Sequence, residues 1–365
     1  MGIRILHIVT YMDRGGLETM LMNCYRHIDR AQIQFDFLVH REFRADYDDE
    51  IESLGGRIYR LPRLNPFSPG YKKALLDFFK GHPEYRIVHC HLDCMSAIPL
   101  AAAKKCGVPV RIAHSHNSSQ DKNWKYLLKR YFMKKIPAAA THLFACSDEA
   151  GAFMFPGENV TVIKNGIESE KFTFDPAVRE EMRRALGLDT QIVVGHIGRF
   201  MPQKNHAFLI DVFAEVRKQA DATLLLVGEG PLREQIMEKV RALGLEDSVM
   251  FLGLRSDVNR ILQAVDVFVM PSVYEGLPLA VVEAQSAGLA CILSAAASPQ
   301  SRITDRTEFL SIQESPALWA EHIRTAAGMP RISQRQTIAD AGFDIQTTAQ
   351  WLSDFYRREV TENVQ

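Results

Sequence analysis

Neither sign of charge prevails in this chain. Its 43 basic and 44 acidic residues leave a net charge of −1, so no overall field recruits nucleic acid and any anion site must be local. Long apolar runs are also missing: no 18-residue apolar stretch is available for a membrane span. Cysteine is sparse, and Cys24, Cys90, Cys94, Cys106, Cys146 and Cys291 form no C-x-x-C pair. They read as buried thiols in a reducing compartment rather than a disulfide framework. The opening residues 1–9 are too short and too interrupted for a secretory signal, and the cytoplasm is the expected location. With 47% apolar and 24% charged residues, disorder is not a useful reading of the whole chain. At 365 residues it exceeds one ordinary core and suits two domains.

What is present is a repeated order of strand, glycine turn and helix. Residues 3–9 form a continuous apolar run with β-branched members, suited to a strand buried on both faces. Similar runs occur at 35–39, 57–61, 86–91, 108–114, 142–146 and 160–163, with helical patterns between most of them. Residues 167–190 are polar and read as a connection. The pattern then restarts at 192–198, 222–228, 249–253, 267–271 and 290–294. Alternating strands and helices imply parallel, doubly wound sheets. The expected fold is α/β, with two facing Rossmann-like domains at 1–168 and 169–346 and a cleft between them. A last amphipathic helix within 347–365 is expected to pack back on the first domain. Open parallel sheets bind ligands at the carboxyl ends of their strands, so two rims across one cleft would suit a reaction joining two substrates.

The segment from Met270 to Ala284 is the most informative. A buried strand ends at Pro271, a short loop carries Glu275 and Gly276, and Pro278 is expected at the first helical position, where its missing N–H costs nothing. Gly288 suits the end of that helix. The amides of Gly276 and Leu277 are then expected at a helix N-terminus, free to meet an anion. Glu283 falls about one and a half turns inside the helix, roughly 10 Å along the axis from Glu275. One carboxylate could reach a ribose and the other a sugar ring. The plain alternative is a helix-start acid and an incidental surface glutamate. Arg199 and Lys204 follow a strand end and precede a helix at Asn205, where two cations could meet a departing diphosphate. With these cations and a helix dipole available, charge balance requires no metal, and no cofactor is expected.

Glu275-x7-Glu283 within S-x-Y-E-G-L-P-x-x-x-x-E-A resembles the signature of retaining family 4 glycosyltransferases with the GT-B fold. Gly15-Gly16-Leu17-Glu18 resembles the family's N-terminal glycine loop, Asn165-Gly166-Ile167 its interdomain strand end, and Gly198 to Asn205 its phosphate-binding loop. Gly228-Glu229-Gly230-Pro231 and Phe251-Leu252-Gly253 also match, so the resemblance spans nearly the whole chain. It implies transfer of a sugar, with retention of configuration, from a nucleotide diphosphate sugar (a uridine one) to a hydroxyl of a saccharide or lipid-linked saccharide. Exopolysaccharide or capsule assembly is the setting it suggests. By the same resemblance Glu283 holds the ribose, and Arg199 with Lys204 the leaving diphosphate. Glu275 and the Gly276 and Leu277 amides hold sugar and phosphate, and His116 lies near the reacting centre. Gly15 and Gly16 let the N-terminal loop approach the phosphates. A GT-B sugar-nucleotide epimerase shares the architecture but not the paired glutamates. A non-catalytic nucleotide-sugar-binding subunit is disfavoured by intact Arg199, Lys204, Glu275 and Glu283. One departure stands out: many relatives carry acids after the next strand, whereas 294–301 has none.

Weaker signals remain. His89 and His91, and His114 and His116, form H-x-H pairs on strand faces that could bind zinc, but neither has a sequence-local set of four ligands. Asp46-Tyr47-Asp48 formally matches a metal-binding Asp-x-Asp, yet it sits in an acid-crowded helix start. Gly228-x-Gly230 lacks the third glycine of a dinucleotide loop. Residues 122–135 carry six basic residues and no acid, interleaved with aromatics and leucines. This composition suits an interfacial helix on an anionic membrane, placing the protein peripherally on the inner face. A core-facing helix with a solvated basic face is the alternative.

Overall fold

The computed structural model describes residues 2–117, 126–189 and 191–362. Of the basic stretch 122–135, Lys122 to Lys125 lie outside the described residues. The chain forms two compact units, Met1–Gly166 with Ile345–Gln365, and Ile167–Asp344. These boundaries fall two residues before those expected at 168 and 346.

The first unit holds strands β1 (Ile3–Ile8), β2 (Ile33–Val39), β3 (Ile58–Arg60), β4 (Ile87–Cys90), β5 (Val110–Ser115), β6 (His142–Ala145) and β7 (Thr161–Val162). They form one parallel sheet in the order β3-β2-β1-β4-β5-β6-β7, with Ile5 beside both Phe35 and Ile87. β5 starts at Val110 rather than 108, because Pro109 has no N–H for the ladder. One face carries Phe35 and Phe37 under the helices Gly16–His27, which contributes Tyr25, and Ile345–Glu362. The other carries Leu6, Ile8 and Val88 under Pro69–Gly81 and Ala97–Lys105. The C-terminal helix is a full member of the first core: Tyr356 is completely buried, its ring edge-on to Phe35 at 6.1 Å.

The second unit holds β8 (Ile192–Ile197), β9 (Ala222–Val227), β10 (Val249–Gly253), β11 (Val267–Met270), β12 (Ala290–Ser294) and β13 (Thr307–Leu310). Their order is β10-β9-β8-β11-β12-β13, again parallel. Along β9, Leu224 and Leu226 enter one core with Trp319 and Phe213, while Leu225 and Val227 enter the other with Phe268 and Val282. Burial on both faces explains why this strand reads as an unbroken apolar run. Elements absent from the sequence expectation include the edge strand β13 and the short helices Val258–Ala264 and Arg335–Asp340. Among the described residues no helix is long and apolar enough to cross a membrane.

In each sheet the strand order turns back at one place, between β1 and β4 and between β8 and β11. Crevices outside the carboxyl ends of strands at such points are where open α/β sheets take ligands.

Candidate functional site

In the second unit, the loops after β8 and β11 meet at that point. The loop after β8 carries Gly198, exposed Arg199 and the turn Pro202–Lys204, and Asn205 then caps the helix His206–Arg217 with φ +54°. Asparagine tolerates this left-handed conformation better than most residues. The loop after β11 carries buried Ser272 and half-buried Glu275. Lys204 Nζ donates to Glu275 Oε2, both side chains being largely covered. Ser272 Oγ donates to the same oxygen at 3.4 Å, and Gln203 Nε2 to Oε1 at 3.4 Å. The Val273 amide bonds to the Gln203 carbonyl at 2.8 Å, joining the two loops through their backbones. Lys204 and Glu275 thus form one ion pair, whereas the sequence reading gave them separate tasks. Gln203 and Ser272 are supporting residues that reading did not single out.

Gly228 follows β9 with φ +138°, and a Cβ there would lie 2.2 Å from the Gly198 carbonyl. The loop after β8 can close down only on a glycine at this position. Beneath Lys204, burial pushes His206 down to about 4 and His196 well below the ordinary histidine range, with neighbouring charge adding to the effect. Two neutral imidazoles therefore underlie the lysine.

Pro278 is the N-cap of the helix Leu279–Ser286, one residue earlier than the sequence pattern suggested. The Gly276 and Leu277 amides therefore lie one residue further from the helix start than expected, and neither donates to a described residue. Glu283 lies in this helix, partly exposed, with no hydrogen bond or ion pair to any described residue. Burial pushes its carboxyl up to about 7. Arg199 likewise pairs with no described residue. Along the same two loops and the helix that follows lie an exposed guanidinium, two open amides and an unpaired carboxyl. That set can take an anion together with hydroxyl donors.

The acid-free segment 294–301 has a structural task. Ser298 N donates to the Glu275 carbonyl at 2.9 Å, Ser301 Oγ to the Gly276 carbonyl at 3.2 Å, and Glu275 pairs as a bridge with Ala297. It braces the Glu275 loop chiefly through backbone bonds, with the Ser301 hydroxyl adding one more.

In the first unit, Gly15 is the N-cap of Gly16–His27, and a Cβ on it would lie 2.3 Å from Glu18 Oε2. That oxygen is the movable end of a flexible side chain and Gly16 meets nothing within 4 Å, so packing alone requires glycine at neither position. Asp46 is exposed, but Asp48 is buried and held by Arg60 and the Ala45 amide, so the Asp-x-Asp carboxylates do not converge.

His116 stands just past β5 at the carboxyl edge of the sheet. The structure brings both H-x-H pairs together and adds His7 from β1, a convergence that sequence spacing could not reveal. Nitrogens of His7, His89 and His91, and of His91, His114 and His116, lie within 4.8 Å of one another, so these are the residues that could hold a metal. However, several of the rings stack, at 4.3 Å for His89–His91 and 5.2 Å for His89–His114. In-plane lone pairs of stacked rings run side by side rather than converge on a tetrahedral centre. The nitrogens instead bond to each other, at 3.1 Å for His7–His91, 3.0 Å for His91–His116 and 3.1 Å for His89–His114.

On the outside of this unit, the helix Tyr126–Met133 buries Met133 and exposes Leu127 and Tyr131 one turn apart. Lys134 and Lys135 are exposed beside them, and the Lys135 ammonium sits 4.6 Å from the Tyr131 ring centre.

Comparison with known proteins places this geometry among relatives. Residues 14–171 match the family described as Glycosyltransferase Family 4, and residues 191–328 that described as Glycosyl transferases group 1. The chain is 37% identical to the putative glycosyltransferase EpsF of Bacillus subtilis, covering 97% of this chain and 96% of that one. It is 32% identical, over 61% of each chain, to the UDP-Gal:alpha-D-GlcNAc-diphosphoundecaprenol alpha-1,3-galactosyltransferase of Escherichia coli. The crystal structure of Anabaena HepE in complex with UDP superposes with a TM-score of 0.81 at 20% identity, covering 97% of this chain and all of that one.

Proposed function

The chain belongs to the group 1, family 4 glycosyltransferases of GT-B fold, and from that membership we propose that it transfers a sugar from a uridine diphosphate sugar to an acceptor hydroxyl with retention of configuration. The observation that carries the reading is the Lys204–Glu275 pair, which joins the loops after β8 and β11; Arg199 and the open Gly276 and Leu277 amides lie on the same two loops, and Glu283 in the helix that follows. Arg199 and Lys204 receive the diphosphate, whose negative charge grows as the sugar leaves. Glu283 accepts hydrogen bonds from the ribose hydroxyls, and Glu275 with the two amides holds the sugar and the adjoining phosphate. The open loop at Gly15 and Gly16 approaches the phosphates, and His116 contacts the transferred sugar. The departing phosphate oxygen takes the acceptor's proton on the face it leaves, which gives retention. A UDP-bearing structural neighbour and a galactosyltransferase relative named for a UDP-sugar donor support the uridine donor. Relatives named for capsule and polyprenyl-linked sugars support a saccharide or lipid-linked saccharide acceptor in polysaccharide assembly.

A panel of nucleotide sugars, read by release of nucleoside diphosphate, tests this function; no turnover of any donor with any saccharide acceptor would remove it. Two cations, Arg199 and Lys204, balance the leaving group, so chelation with EDTA is expected to leave the rate unchanged. A loss restored by magnesium would contradict that assignment.

The acceptor reading extends to the membrane. Leu127 and Tyr131 provide apolar insertion and Lys134 and Lys135 an attraction to anionic lipid of about 1 kcal/mol each. Lys134→Ser is expected to weaken sedimentation with anionic vesicles about fivefold at low salt. Equal binding to neutral vesicles would return this helix to an ordinary solvated face.

A further inference from the structure

Of the five clustered histidines of the first unit, four are buried and only His116, at the sheet's carboxyl edge, keeps surface, so the cluster is more than the site needs. Three of them form a chain that steps diagonally across strands, from His7 on β1 to His91 after β4 to His116 after β5. His7 Nδ1 lies 3.1 Å from His91 Nε2, and His91 Nδ1 lies 3.0 Å from His116 Nε2. At the two ends, His7 Nε2 and His116 Nδ1 are buried without partners among the described residues. Burial keeps the imidazoles neutral, pushing His7 and His116 down to about 3 and His91 well below the ordinary range.

A neutral imidazole has one N–H and one lone pair. The chain therefore has only two concerted arrangements. In one, every proton sits on Nδ1: His7 donates to His91, His91 donates to His116, and His116 keeps an N–H at its free Nδ1. In the other, every proton sits on Nε2, and the leftover N–H belongs to His7. The choice depends on where a donor without a partner is least costly, because a buried orphan N–H is among the rarest and most expensive polar defects. His7 is 1% exposed, its ring packed 4.2 Å from Phe35 and stacked on Phe37. No water or ligand can reach that end without opening the core. His116 Nδ1 is covered as well, but its residue keeps some surface at the sheet edge, so this end of the chain is the nearer to solvent.

We propose that His7 and His91 are positioning residues that hold His116 in its Nδ1-protonated tautomer, so that it meets the donor substrate as a hydrogen-bond donor seeking an oxygen acceptor, a sugar hydroxyl. The ligand half rests on the functional reading above; the tautomer half does not. An oxygen arriving at Nδ1 satisfies the one donor the chain leaves open, so binding relieves a defect built into the free protein. His116 thereby selects sugars with an acceptor oxygen at that point and disfavours deoxy analogues.

The test is a two-bond proton–nitrogen correlation spectrum of the full chain with 15N-labelled histidine, assigned with His116→Asn. The expected result is an Nδ1-protonated His116 in the ligand-free protein; an Nε2-protonated one overturns the proposal. His91→Gln retains an amide that can donate to His116 Nε2 and should keep the tautomer. His91→Leu, of similar fold by circular dichroism, should lose it, giving a mixture or the Nε2 form. An unchanged His116 in the leucine variant also overturns the proposal, because His91 would then have no hold on it. Adding UDP-glucose, but not UDP, should shift the His116 Nδ1 proton. Failure of that last step alone removes His116 from the sugar and counts against the functional reading, with the tautomer still established by the ligand-free spectrum.

Discussion

Lys204→Ala is expected to lower kcat about 10²–10³-fold, the loss typical of removing one fixed group that meets developing charge. The donor's KM should change far less. The intact donor and the departing diphosphate differ in charge, and an ammonium fixed at the leaving group favours the later state. Lys204 is well placed for this because it is not a flexible surface lysine. Glu275 holds its ammonium, and Gln203 and Ser272 hold Glu275 in turn. The site is thus organised before the donor arrives. Arg199, exposed and unpaired, has no such brace, so Arg199→Ala should show more of its effect in KM. Steady-state rates with saturating donor separate the two cases. A Lys204→Ala defect confined to KM would reduce this lysine to uniform binding of the phosphates.

Glu283→Ala is expected to raise the dissociation constant for UDP about 10–150-fold, the equivalent of one charge-assisted hydrogen bond of about 1.5–3 kcal/mol. A pH dependence accompanies it. The carboxyl titrates near 7 in the folded protein because burial disfavours its charge. Only the ionised form accepts from both ribose hydroxyls, so wild-type affinity relative to Glu283→Gln should improve about tenfold from pH 6 to pH 8. Stability moves the other way. Folding raises this group from its model-peptide value of 4.5 to about 7, so the folded state holds the proton more tightly. That contribution is fully present below about 4.5 and is lost as pH rises through 7. Glu283→Gln should flatten the trend in a pH series of melting temperatures. Calorimetric affinity for UDP that is the same in wild type and Glu283→Ala would dispose of the ribose role.

The fold was legible in the sequence to the extent that burial was. β9 and β12, covered on both faces, announce themselves as apolar runs. β13 escaped because its four residues, Thr307 to Leu310, include two that are half exposed at a sheet edge and give no such run. The start at Pro278 was misplaced by one residue because proline serves both at a cap and just inside it. Within the site, residue types were visible and pairing was not. Lys204 and Glu275 are 71 positions apart, and their meeting depends on β8 lying beside β11, a neighbourhood set by strand order rather than by local pattern. The histidine chain is the same lesson on another sheet. H-x-H marks two faces of strands, but His7 joins only because β1 pairs with β4.

The helix Ile345–Glu362 has a consequence for how the molecule comes into being. The first unit lacks one wall until that helix arrives: Tyr356 closes over Phe35 and bonds to His89 at 2.7 Å. Residues 167–344 are made in between. At ordinary translation rates the half-built unit stands open on the ribosome for roughly 10–40 s, with its histidine-lined face uncovered. The second unit, contiguous in the chain, can finish first. Synthesis order and folding order are therefore reversed. A nonsense codon that removes only the last twenty residues is predicted to damage the unit made first, far more than the unit beside which translation stopped.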